Sequence, residues 1–365
     1  MRVPGVTRAA VLHEFGAPLV IEEIPLPGEL EPGALLVEVV ASTLCGTDVH
    51  AAWGELSLPV ELPVILGHEM VGRVIQMGSG ADVDSVGQPL RVGDRVIWAH
   101  AFCGQCASCT SKMPAVCSNS VRYGFQSPRR FPYAAGGHAA HCYVFPRSGR
   151  VKVPDVVPDS WASMAACALR TVVNAVRRAG PIDATSRVVV QGCGPLGVLA
   201  TGMLRVGGAG QVITIGGPDE RRAIASEFGA DDTIGLEGDG DERVAQIRDR
   251  TGGGPDVVFD FTGNPPAFAE GVAMLRTGGR YVVVGQLGTG TVAFPPGAIT
   301  TKNLTVQGVM SADIEHYHGG LKFLERHHDT LPFDRVISNR YALDDINTAM
   351  ARMKSMSEMK PLIVA

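Results

Sequence analysis

The run Val188-Val189-Val190-Gln191-Gly192-Cys193-Gly194-Pro195-Leu196-Gly197 decides how this chain folds. Its valines predict a buried strand, and a G-x-G-x-x-G pattern follows directly and opens a helix, which is the context that gives this short motif its meaning. Gly192 permits the tight turn, Gly194 lets a pyrophosphate approach, and Gly197 lets helix and sheet pack closely. The proline suits the first helical turn, and the phosphates would meet the helix N-terminus. The run therefore predicts a dinucleotide site; the alternative is a glycine turn that binds no ligand.

Strands and helices alternate on both sides of this run, as in a parallel, doubly wound sheet. The predicted strands are 187–191, 211–215, 256–261, 279–285 and, at the edge of the sheet, 303–309. The predicted helices are 163–178, 196–206, 220–228, 244–250 and 266–275. These segments predict a Rossmann coenzyme-binding domain over residues 163–309.

The remaining segments predict a second, β-rich domain. Short β-branched runs at 35–40, 70–75 and 94–97 are punctuated by Gly and Pro, which is typical of strands in an irregular, partly open barrel. We assign residues 1–162 to this domain. After residue 310 we predict a helix over 317–328, a strand near Val336, a helix over 343–353 and a strand over 361–364, and we expect residues 310–365 to return to the β-rich domain. The fold class is α/β.

Composition limits the functional classes. The 365 residues are 45% hydrophobic and 19% charged, with a formal net charge of −5, as in soluble globular proteins. Basic residues are scattered, so neither a nucleic-acid nor an acidic-membrane footprint is visible. The sequence shows no signal segment and no apolar stretch long enough to cross a bilayer. We therefore expect a cytoplasmic protein whose eight cysteines stay reduced.

Two short runs near the start carry the chemistry of a zinc site with an open position. Cys45 in Cys45-Gly46-Thr47-Asp48-Val49-His50 and His68 in Gly67-His68-Glu69 offer a thiolate and an imidazole. The third ligand is predicted to be Cys167, near the start of the helix that joins the domains; a small buried apolar cysteine is the alternative. Glu69 is predicted either as an occasional fourth ligand or as a carboxylate behind the ligands.

The residues around Cys45 suggest a proton path. Asp48 is suited to fix the tautomer of His68, unless it only forms an Asx turn. Zinc lowers the pKa of a hydroxyl group that it binds. Thr47 can then accept the proton of an alcohol and pass it to His50, which exchanges it with solvent near neutral pH. A purely structural role for His50 is the alternative.

Four cysteines in fifteen residues give the sharpest metal signal. They follow the spacing Cys103-x2-Cys106-x2-Cys109-x7-Cys117, and in a reduced compartment this density predicts a closed, structural zinc site in a lobe over about residues 100–120. An iron–sulfur cluster uses related spacing, but the turn-rich surroundings favour zinc. Cys142 and Cys193 are predicted to be ordinary buried thiols.

The strand after the glycine turn lacks the acid that usually holds the adenosine ribose. It runs into Gly216 and Gly217 instead, which removes the usual barrier to a 2′-phosphate. Arg221 and Arg222 are near enough to approach a ribose or a phosphate. Asp219 is either a displaced ribose acceptor or a helix N-cap. The choice between NAD and NADP therefore stays open.

The chain resembles the zinc-dependent medium-chain alcohol dehydrogenases over essentially its full length and in motif order. The matching positions are Cys45-Gly46-Thr47-Asp48-x-His50, Gly67-His68-Glu69, Cys167 with Thr171 four residues later, the four clustered cysteines, and the three glycines of the coenzyme turn. The resemblance implies a GroES-like β-barrel catalytic domain, a Rossmann domain and a homodimer or homotetramer. It implies two zinc ions per chain and NAD or NADP.

The resemblance also implies roles for single residues. Thr47 and His50 would form the family's proton relay, and Thr171 would contact the nicotinamide. Arg221 falls where the family often has a basic residue near the adenosine ribose. Lys360 falls near a family basic residue that approaches Glu69, although a solvated lysine is an equally good interpretation. Gly216 in place of the expected acid departs from the family's pattern.

We therefore predict reversible hydride transfer between an alcohol and NAD(P). A non-catalytic zinc- and nucleotide-binding relative on the same fold is the main alternative, and a zinc-ribbon nucleic-acid module is disfavoured by the acidic net charge. The substrate is predicted only weakly as a secondary or bulky alcohol. Five aromatic side chains offer either an apolar pocket or ordinary core: Trp53, Phe102, Phe125, Phe131 and Tyr133. The segment 121–137 is predicted to wall the substrate cleft, and Arg129-Arg130 would either contact an anionic substrate or stay solvated.

Overall fold

The computed structural model describes residues 4–364. Its strands are β1 (Val6–Leu12), β2 (Val20–Pro25), β3 (Leu35–Thr43), β4 (Val64–Ile65), β5 (Met70–Met77), β6 (Arg95–Ala101), β7 (His141–Val144), β8 (Ser148–Lys152), β9 (Arg187–Gln191), β10 (Gln211–Ile215), β11 (Asp232–Ile234), β12 (Val257–Asp260), β13 (Arg280–Val283), β14 (Thr305–Gly308), β15 (Arg340–Ala342) and β16 (Leu362–Val364).

The helices are α1 (Gly46–Ala52), α2 (Ala107–Thr110), α3 (Asp159–Met164), α4 (Arg170–Arg178), α5 (Pro195–Val206), α6 (Asp219–Glu227), α7 (Gly240–Arg250), α8 (Pro265–Met274), α9 (Gly297–Thr301), α10 (Ile314–His327) and α11 (Ile346–Lys354). A π-helical segment, Ala165–Leu169, separates α3 from α4. Among residues 4–364, no helix combines the length and the apolar character needed to span a membrane.

The chain divides into two compact units. The first contains the described parts of Met1–Arg170 and Ile337–Ala365, together with Ser311–His328; the second contains Thr171–Met310 and Asp329–Val336. The predicted domain boundaries, at 162 and 309, stay predictions.

Strand β3 is the centre of the first unit. It pairs antiparallel with β5, β7 and β16 in a seven-stranded sheet, and β1, β2 and β4 form a separate three-stranded sheet. The buried side chains of β3 alternate with more exposed ones along its middle, as expected for a strand that covers a core on one face. Ser42, near the end of β3, pairs with Met70 at the start of β5. This register brings the segments that follow β3 and precede β5 side by side.

The second unit is built on a parallel sheet of six strands. Their order is β11-β10-β9-β12-β13-β14, which is the strand order of a dinucleotide-binding fold. The three valines of β9 are fully buried, because helices cover both faces of such a sheet. The predicted α/β class, a β-rich domain with a Rossmann sheet, is confirmed.

Several predicted elements differ from the structure. The strand near Val336 is wrong: Phe333–Arg335 form a 3-10 turn, and the strand lies at Arg340–Ala342, where it pairs in parallel with β16. Val336 is buried through that turn and not through strand pairing. Strand β11 was not predicted, since its sequence Asp-Thr-Ile is short and polar. The helix predicted over 163–178 begins earlier, at Asp159, and contains the π-helical segment.

Candidate metal centres and coenzyme-binding turn

Four predicted site residues converge in the first unit. One ligand atom from each of Cys45, His68, Glu69 and Cys167 lies within 4.8 Å of the other three. Cys45 is the N-cap of α1, two residues after β3, and His68 lies two residues before β5. The antiparallel register of these strands therefore explains how residues 23 positions apart meet. Cys167 lies within the π-helical segment, and such segments occur frequently at functional sites.

Asp48 contacts His68, and its other oxygen caps the first turn of α1 instead of forming the Asx turn considered as the alternative. Its Oδ2 accepts the backbone N–H of Cys45 at 2.9 Å, as an N-terminal cap of α1. Its Oδ1 accepts the backbone N–H of Gly67 at 3.1 Å and lies 3.1 Å from Nδ1 of His68. An imidazole whose Nδ1–H is held by a carboxylate presents Nε2 as its ligand atom. Burial acts to raise the pKa of Asp48, but the adjacent His68 outweighs it and the pKa is lowered.

The thiols of Cys45 and Cys167 lie close together, and that of Cys45 stays protonated unless a metal ion binds it. A hydrogen bond with the thiol of Cys167, followed by burial, raises the pKa of Cys45 to about 12. Without a metal, two neighbouring thiolates would repel each other. A divalent metal ion displaces both thiol protons and stabilises both thiolates. Two sulfurs and an imidazole nitrogen are the ligand types that zinc prefers. The donor set therefore fits zinc.

Glu69 is completely buried beside these ligands and is held from three sides. Lys360 Nζ lies 2.5 Å from its Oε2, and the hydroxyl of Thr43 donates to the same oxygen at 2.7 Å. Ser163 Oγ donates to its backbone carbonyl at 2.7 Å. The second carboxylate oxygen, Oε1, has no hydrogen-bond partner among residues 4–364. A buried carboxylate oxygen without a donor is suited to a cation, so the structure fits either role predicted for Glu69.

Lys360 is buried and not solvated. Its side chain is 1% exposed, and its ammonium also donates to the carbonyl of Leu44 at 3.2 Å. Burial acts to lower the pKa of Lys360, but the carboxylate of Glu69 outweighs it and the pKa is raised. The structure therefore favours the family-like interpretation of Lys360 over the solvated one.

Thr47 and His50 lie on α1, directly after Cys45. Thr47 is half-buried. The ring of His50 is 56% exposed, and its Nδ1 lies 2.9 Å from Glu55 Oε2. Thr47 is thus partly shielded from solvent, whereas the His50 ring faces it. Their roles as a proton relay stay predictions.

The four clustered cysteines form a compact group of free thiols. Cys103 Sγ lies 3.5 Å from that of Cys117 and 3.9 Å from that of Cys109. Cys106 Sγ lies 3.6 Å from that of Cys109 and 3.7 Å from that of Cys117. A tetrahedron with metal–sulfur bonds of about 2.3 Å has sulfur–sulfur edges of about 3.8 Å. The group fits one tetrahedral ion and is too small to enclose a multi-iron cluster.

The backbone near these sulfurs also fits a metal site. The N–H of Cys106 points to Cys103 Sγ at 3.3 Å, and the N–H of Cys103 points to Cys117 Sγ at 3.4 Å. Thiolates that bind a metal are stabilised by such donors, which set ligand orientation. Cys142 and Cys193, predicted as ordinary thiols, are both buried.

The glycine turn of the second unit fits a coenzyme pyrophosphate. Gly192 has φ = +108°, which favours glycine. A Cβ on Gly197 would lie 1.7 Å from the carbonyl oxygen of Gly192, so only glycine lets α5 approach the turn this closely. A Cβ on Gly194, the N-cap of α5, would meet nothing within 4 Å. The space next to the first N–H groups of a twelve-residue helix is therefore open, as anion binding requires.

The end of β10 has Gly216 where an acid is usual, and an ion pair of Arg222 with Asp219 lies next to it. Arg222 donates to the carbonyl of Gly216 at 3.3 Å and pairs with Asp219 at 2.8 Å. Asp219 is not an N-cap, since the preceding proline holds that position. Gly217 and Arg221 are half-buried beside it, and burial lowers the pKa of Arg221. Thr171 is buried in the same unit. The coenzyme roles of these residues stay predictions.

The predicted pocket aromatics do not form one group. The ring centroid of Phe125 lies 6.3 Å from that of His68. Trp53 packs on a core cluster and beneath Lys354, whose Nζ lies 3.6 Å from the ring centroid. Phe131 is 52% exposed. Of these side chains, Phe125 has the contact expected of a residue near the metal site.

Among the remaining predicted cleft residues, Tyr133 packs edge-on against Phe131, with ring centroids 6.0 Å apart. Phe102 is half-buried, and Tyr133 packs on a small core cluster. Arg130 pairs with Glu61 at 2.8 Å, which satisfies its charge on the surface, and Arg129 is exposed. Both positions fit the solvated interpretation, and their contact with substrate stays a prediction.

Sequence reasoning missed residues that support the cluster from a distance. Thr43 and Ser163 hold Glu69, and His138 lies behind Asp48. His138 is 70 positions from His68 and belongs to no motif, whereas Ser163 lies four residues before Cys167. The positions of Thr43, two residues before Cys45, and of Ser163, about one helical turn before Cys167, could have been noticed.

Comparisons with known proteins agree with this geometry. Residues 31–155 match the alcohol dehydrogenase GroES-like domain, and residues 195–326 match the zinc-binding dehydrogenase family. The chain is 34% identical to a 5-exo-hydroxycamphor dehydrogenase from Pseudomonas putida, over 98% of both chains. An alcohol dehydrogenase from Thermotoga maritima has a similar structure, with a TM-score of 0.91 and 32% identity over 98% of this chain and 99% of that one.

A zinc-binding dehydrogenase from Sinorhizobium meliloti, whose structure contains NADP, is also similar, with a TM-score of 0.86 and 27% identity over 99% of this chain and 100% of that one. Identity of this extent over nearly the whole length, with both family domains in order, shows the family. The chain belongs to the zinc-dependent medium-chain alcohol dehydrogenases, which makes it an oxidoreductase that acts on alcohols with zinc and NAD(P) as cofactors.

Proposed function

We propose that Cys45, His68 and Cys167 hold the catalytic zinc of this enzyme and that Glu69 is an occasional fourth ligand. The observation that carries this is the convergence of their ligand atoms within 4.8 Å, with Asp48 on the far nitrogen of His68. Zinc, when bound, supplies a Lewis acid that makes a substrate hydroxyl easier to deprotonate. Lys360 holds the Glu69 carboxylate back, so that a position stays open for substrate.

We propose that Thr47 and His50 move the proton. Thr47 is half-buried one turn of α1 from the exposed imidazole of His50. A hydroxyl can accept one proton while it donates its own, which suits the buried end of such a path. The imidazole changes its charge near neutral pH and suits the exposed end. Glu55, 2.9 Å from Nδ1 of His50, holds the ring in place.

We propose that the glycine turn, Thr171 and Arg221 bind the coenzyme, which supplies the hydride acceptor or donor. The open space at Gly194 and the close approach of Gly197 support this. The end of β10 has Gly216 and Gly217 where an acid would repel a 2′-phosphate. The site is therefore compatible with NADP as well as NAD.

We propose that the substrate is a secondary or bulky alcohol. The 5-exo-hydroxycamphor dehydrogenase relative supports this, because its name denotes a hydroxyl group on a large hydrocarbon frame. Phe125, near His68, offers an apolar surface to such a frame. Arg130 is paired with Glu61, which argues against its use in binding an anionic substrate.

We propose that the enzyme is a cytoplasmic homodimer or homotetramer. All eight cysteines are free thiols, as a reducing compartment requires. In the second unit, β14 is an edge strand that pairs with β13 alone, and most of its residues are exposed. An edge of this kind can pair with the same edge of a second copy.

The test is a purified-protein assay with matched metal analysis. We expect turnover of bulky secondary alcohols with NAD or NADP, and loss of turnover in Cys45→Ser but not in Cys142→Ala, whose thiol is buried away from the cluster. Turnover of short primary alcohols alone would contradict the substrate class. No turnover of any alcohol, with both metal sites filled, would favour the non-catalytic alternative.

A further inference from the structure

His138 is a completely buried histidine that belongs to none of the ligand motifs. Its backbone is fixed on both sides: its N–H donates to the carbonyl of Leu66 at 3.0 Å, and its carbonyl accepts the N–H of Ala10 at 2.9 Å. The ring packs against the backbone of the run that carries His68. A Cβ added to Gly67 would lie 2.8 Å from His138 Nδ1. The imidazole therefore fills the space behind this run.

The two ring nitrogens of His138 face different groups. Nδ1 lies 3.3 Å from the hydroxyl of Ser42, and Nε2 lies 3.8 Å from Oδ2 of Asp48. Nε2 has no hydrogen-bond partner among residues 4–364. If Ser42 donates to Nδ1, the neutral ring carries its proton on Nε2, which faces the carboxylate. Burial lowers the pKa of His138 to about 4, which keeps the ring neutral at pH 7.

Asp48 therefore lies between two imidazoles. Its Oδ1 faces His68 Nδ1, and its Oδ2, which also accepts the N–H of Cys45, faces His138. A buried carboxylate can fix the orientation of a neighbouring imidazole only if its own orientation is fixed. Residues that hydrogen-bond to a metal ligand commonly influence metal affinity. A movement of less than 1 Å would bring His138 Nε2 within hydrogen-bond range of Oδ2.

We propose that His138 is a positioning residue for the metal site: its Nε2–H holds the Asp48 carboxylate, which in turn orients His68. The inference rests on the proposed ligand set. The chain Ser42, His138, Asp48 and His68 lies within the first unit, and none of its links requires the coenzyme. His138 touches neither the substrate nor the reacting atoms.

The experiment measures metal release from the holoenzyme in the presence of a chelator. We expect His138→Leu to release one of two zinc ions about tenfold faster or more, while the ion held by the four clustered cysteines stays. His138→Gln, whose amide can donate to Asp48 as Nε2–H does, should release it at nearly the wild-type rate. His141→Leu is the matched control, because His141 is half-buried and its Nδ1 contacts Thr7.

Three further measurements distinguish positioning from packing. In the Asp48→Asn background, His138→Leu should add little to the rate of metal release, since the carboxylate that it holds is gone. Cobalt substituted at the releasable site should show altered visible absorption in His138→Leu and wild-type absorption in His138→Gln. Ser42→Ala, which removes the donor to Nδ1, should also increase the rate of metal release. If His138→Leu does not fold, the release rate of Ser42→Ala tests the inference in its place.

Wild-type release and cobalt absorption in folded His138→Leu would overturn the inference. Equal impairment of His138→Leu and His138→Gln, or effects of His138→Leu and Asp48→Asn that simply add, would also overturn it. A wild-type enzyme with only the four-cysteine metal would instead refute the ligand set of the proposed function, and this result is visible before any variant is made.

Discussion

Lys360 Nζ lies 2.5 Å from Glu69 Oε2, and both side chains are almost completely removed from solvent. The last residues of the chain thus hold a carboxylate that directly follows a predicted zinc ligand. Taking two charges out of water is unfavourable, and their attraction offsets this only when the pair is intact. A net gain in folding stability therefore does not explain why this ion pair is buried; its effect on the position of the Glu69 carboxylate does.

We expect Lys360→Met to destabilise the protein by about 3–5 kcal/mol, because it leaves the Glu69 charge buried and uncompensated. Chemical denaturation measures this free energy. The double variant Lys360→Met/Glu69→Gln should recover part of the loss. Lys322→Met is the control: Lys322 pairs with Glu325 on the surface, and such pairs contribute about 0–1 kcal/mol. Equal losses in the two lysine variants would contradict the buried pair.

Cys117→Ser should lower the melting temperature and release one zinc ion, since a hydroxyl is a poor substitute for a thiolate in a four-sulfur site. Differential scanning calorimetry and metal analysis measure the two effects together. Cys142→Ala, outside both clusters, should keep the full metal content. An unchanged melting curve with full metal content in Cys117→Ser would argue against a four-thiolate site.

Stability of the second unit should depend on Asp256 in a pH-dependent way. Burial acts to raise the pKa of Asp256, but the backbone N–H of Arg187, at 2.7 Å, and the guanidinium of Arg276, at 2.6 Å, outweigh it and the pKa is lowered. The stabilisation is therefore fully present above the unfolded pKa of about 3.9 and is lost as pH falls through the lower folded value.

We accordingly expect Asp256→Asn to cost about 1–3 kcal/mol at pH 7, with the difference from wild type shrinking below about pH 4. Urea unfolding at both pH values measures this. The exposed Asp329 provides the control substitution, Asp329→Asn, with little effect at either pH. A difference that grew as pH fell would reverse the sign and contradict the explanation.

Arg221→Ala should lower kcat/KM for NADP about tenfold or more relative to that for NAD, because the loss of one charged hydrogen bond to the 2′-phosphate has about this size. The two coenzymes serve as each other's control in parallel initial-rate assays. An equal loss with both coenzymes would place Arg221 elsewhere on the coenzyme or outside its site.

The sequence predicts well what is local or periodic. The turn at Gly192–Gly197 follows from the order strand, glycines, helix, and the four-cysteine group from its spacing alone. The meeting of Cys45 with His68 depends on the antiparallel register of Ser42 with Met70, which a short motif does not contain. The resemblance to a known family provided that link.

Other features could not be predicted, because they depend on long-range packing. Lys360 has no local signal that separates a buried lysine from a solvated one; its burial follows from the pairing of β16 with β3. In place of the strand expected near Val336 there is a 3-10 turn, and a buried apolar residue such as Val336 is equally suited to either. His138 reaches the site from a distant segment and matches no motif.

Metal analysis of the purified wild-type enzyme beside Cys45→Ser tests the central claim most directly. We predict two zinc ions per chain in the wild type, and one ion with no hydride transfer in a Cys45→Ser variant that stays folded. A single ion in the wild type, removed by Cys117→Ser and unaffected by Cys45→Ser, would contradict a catalytic zinc at Cys45, His68 and Cys167.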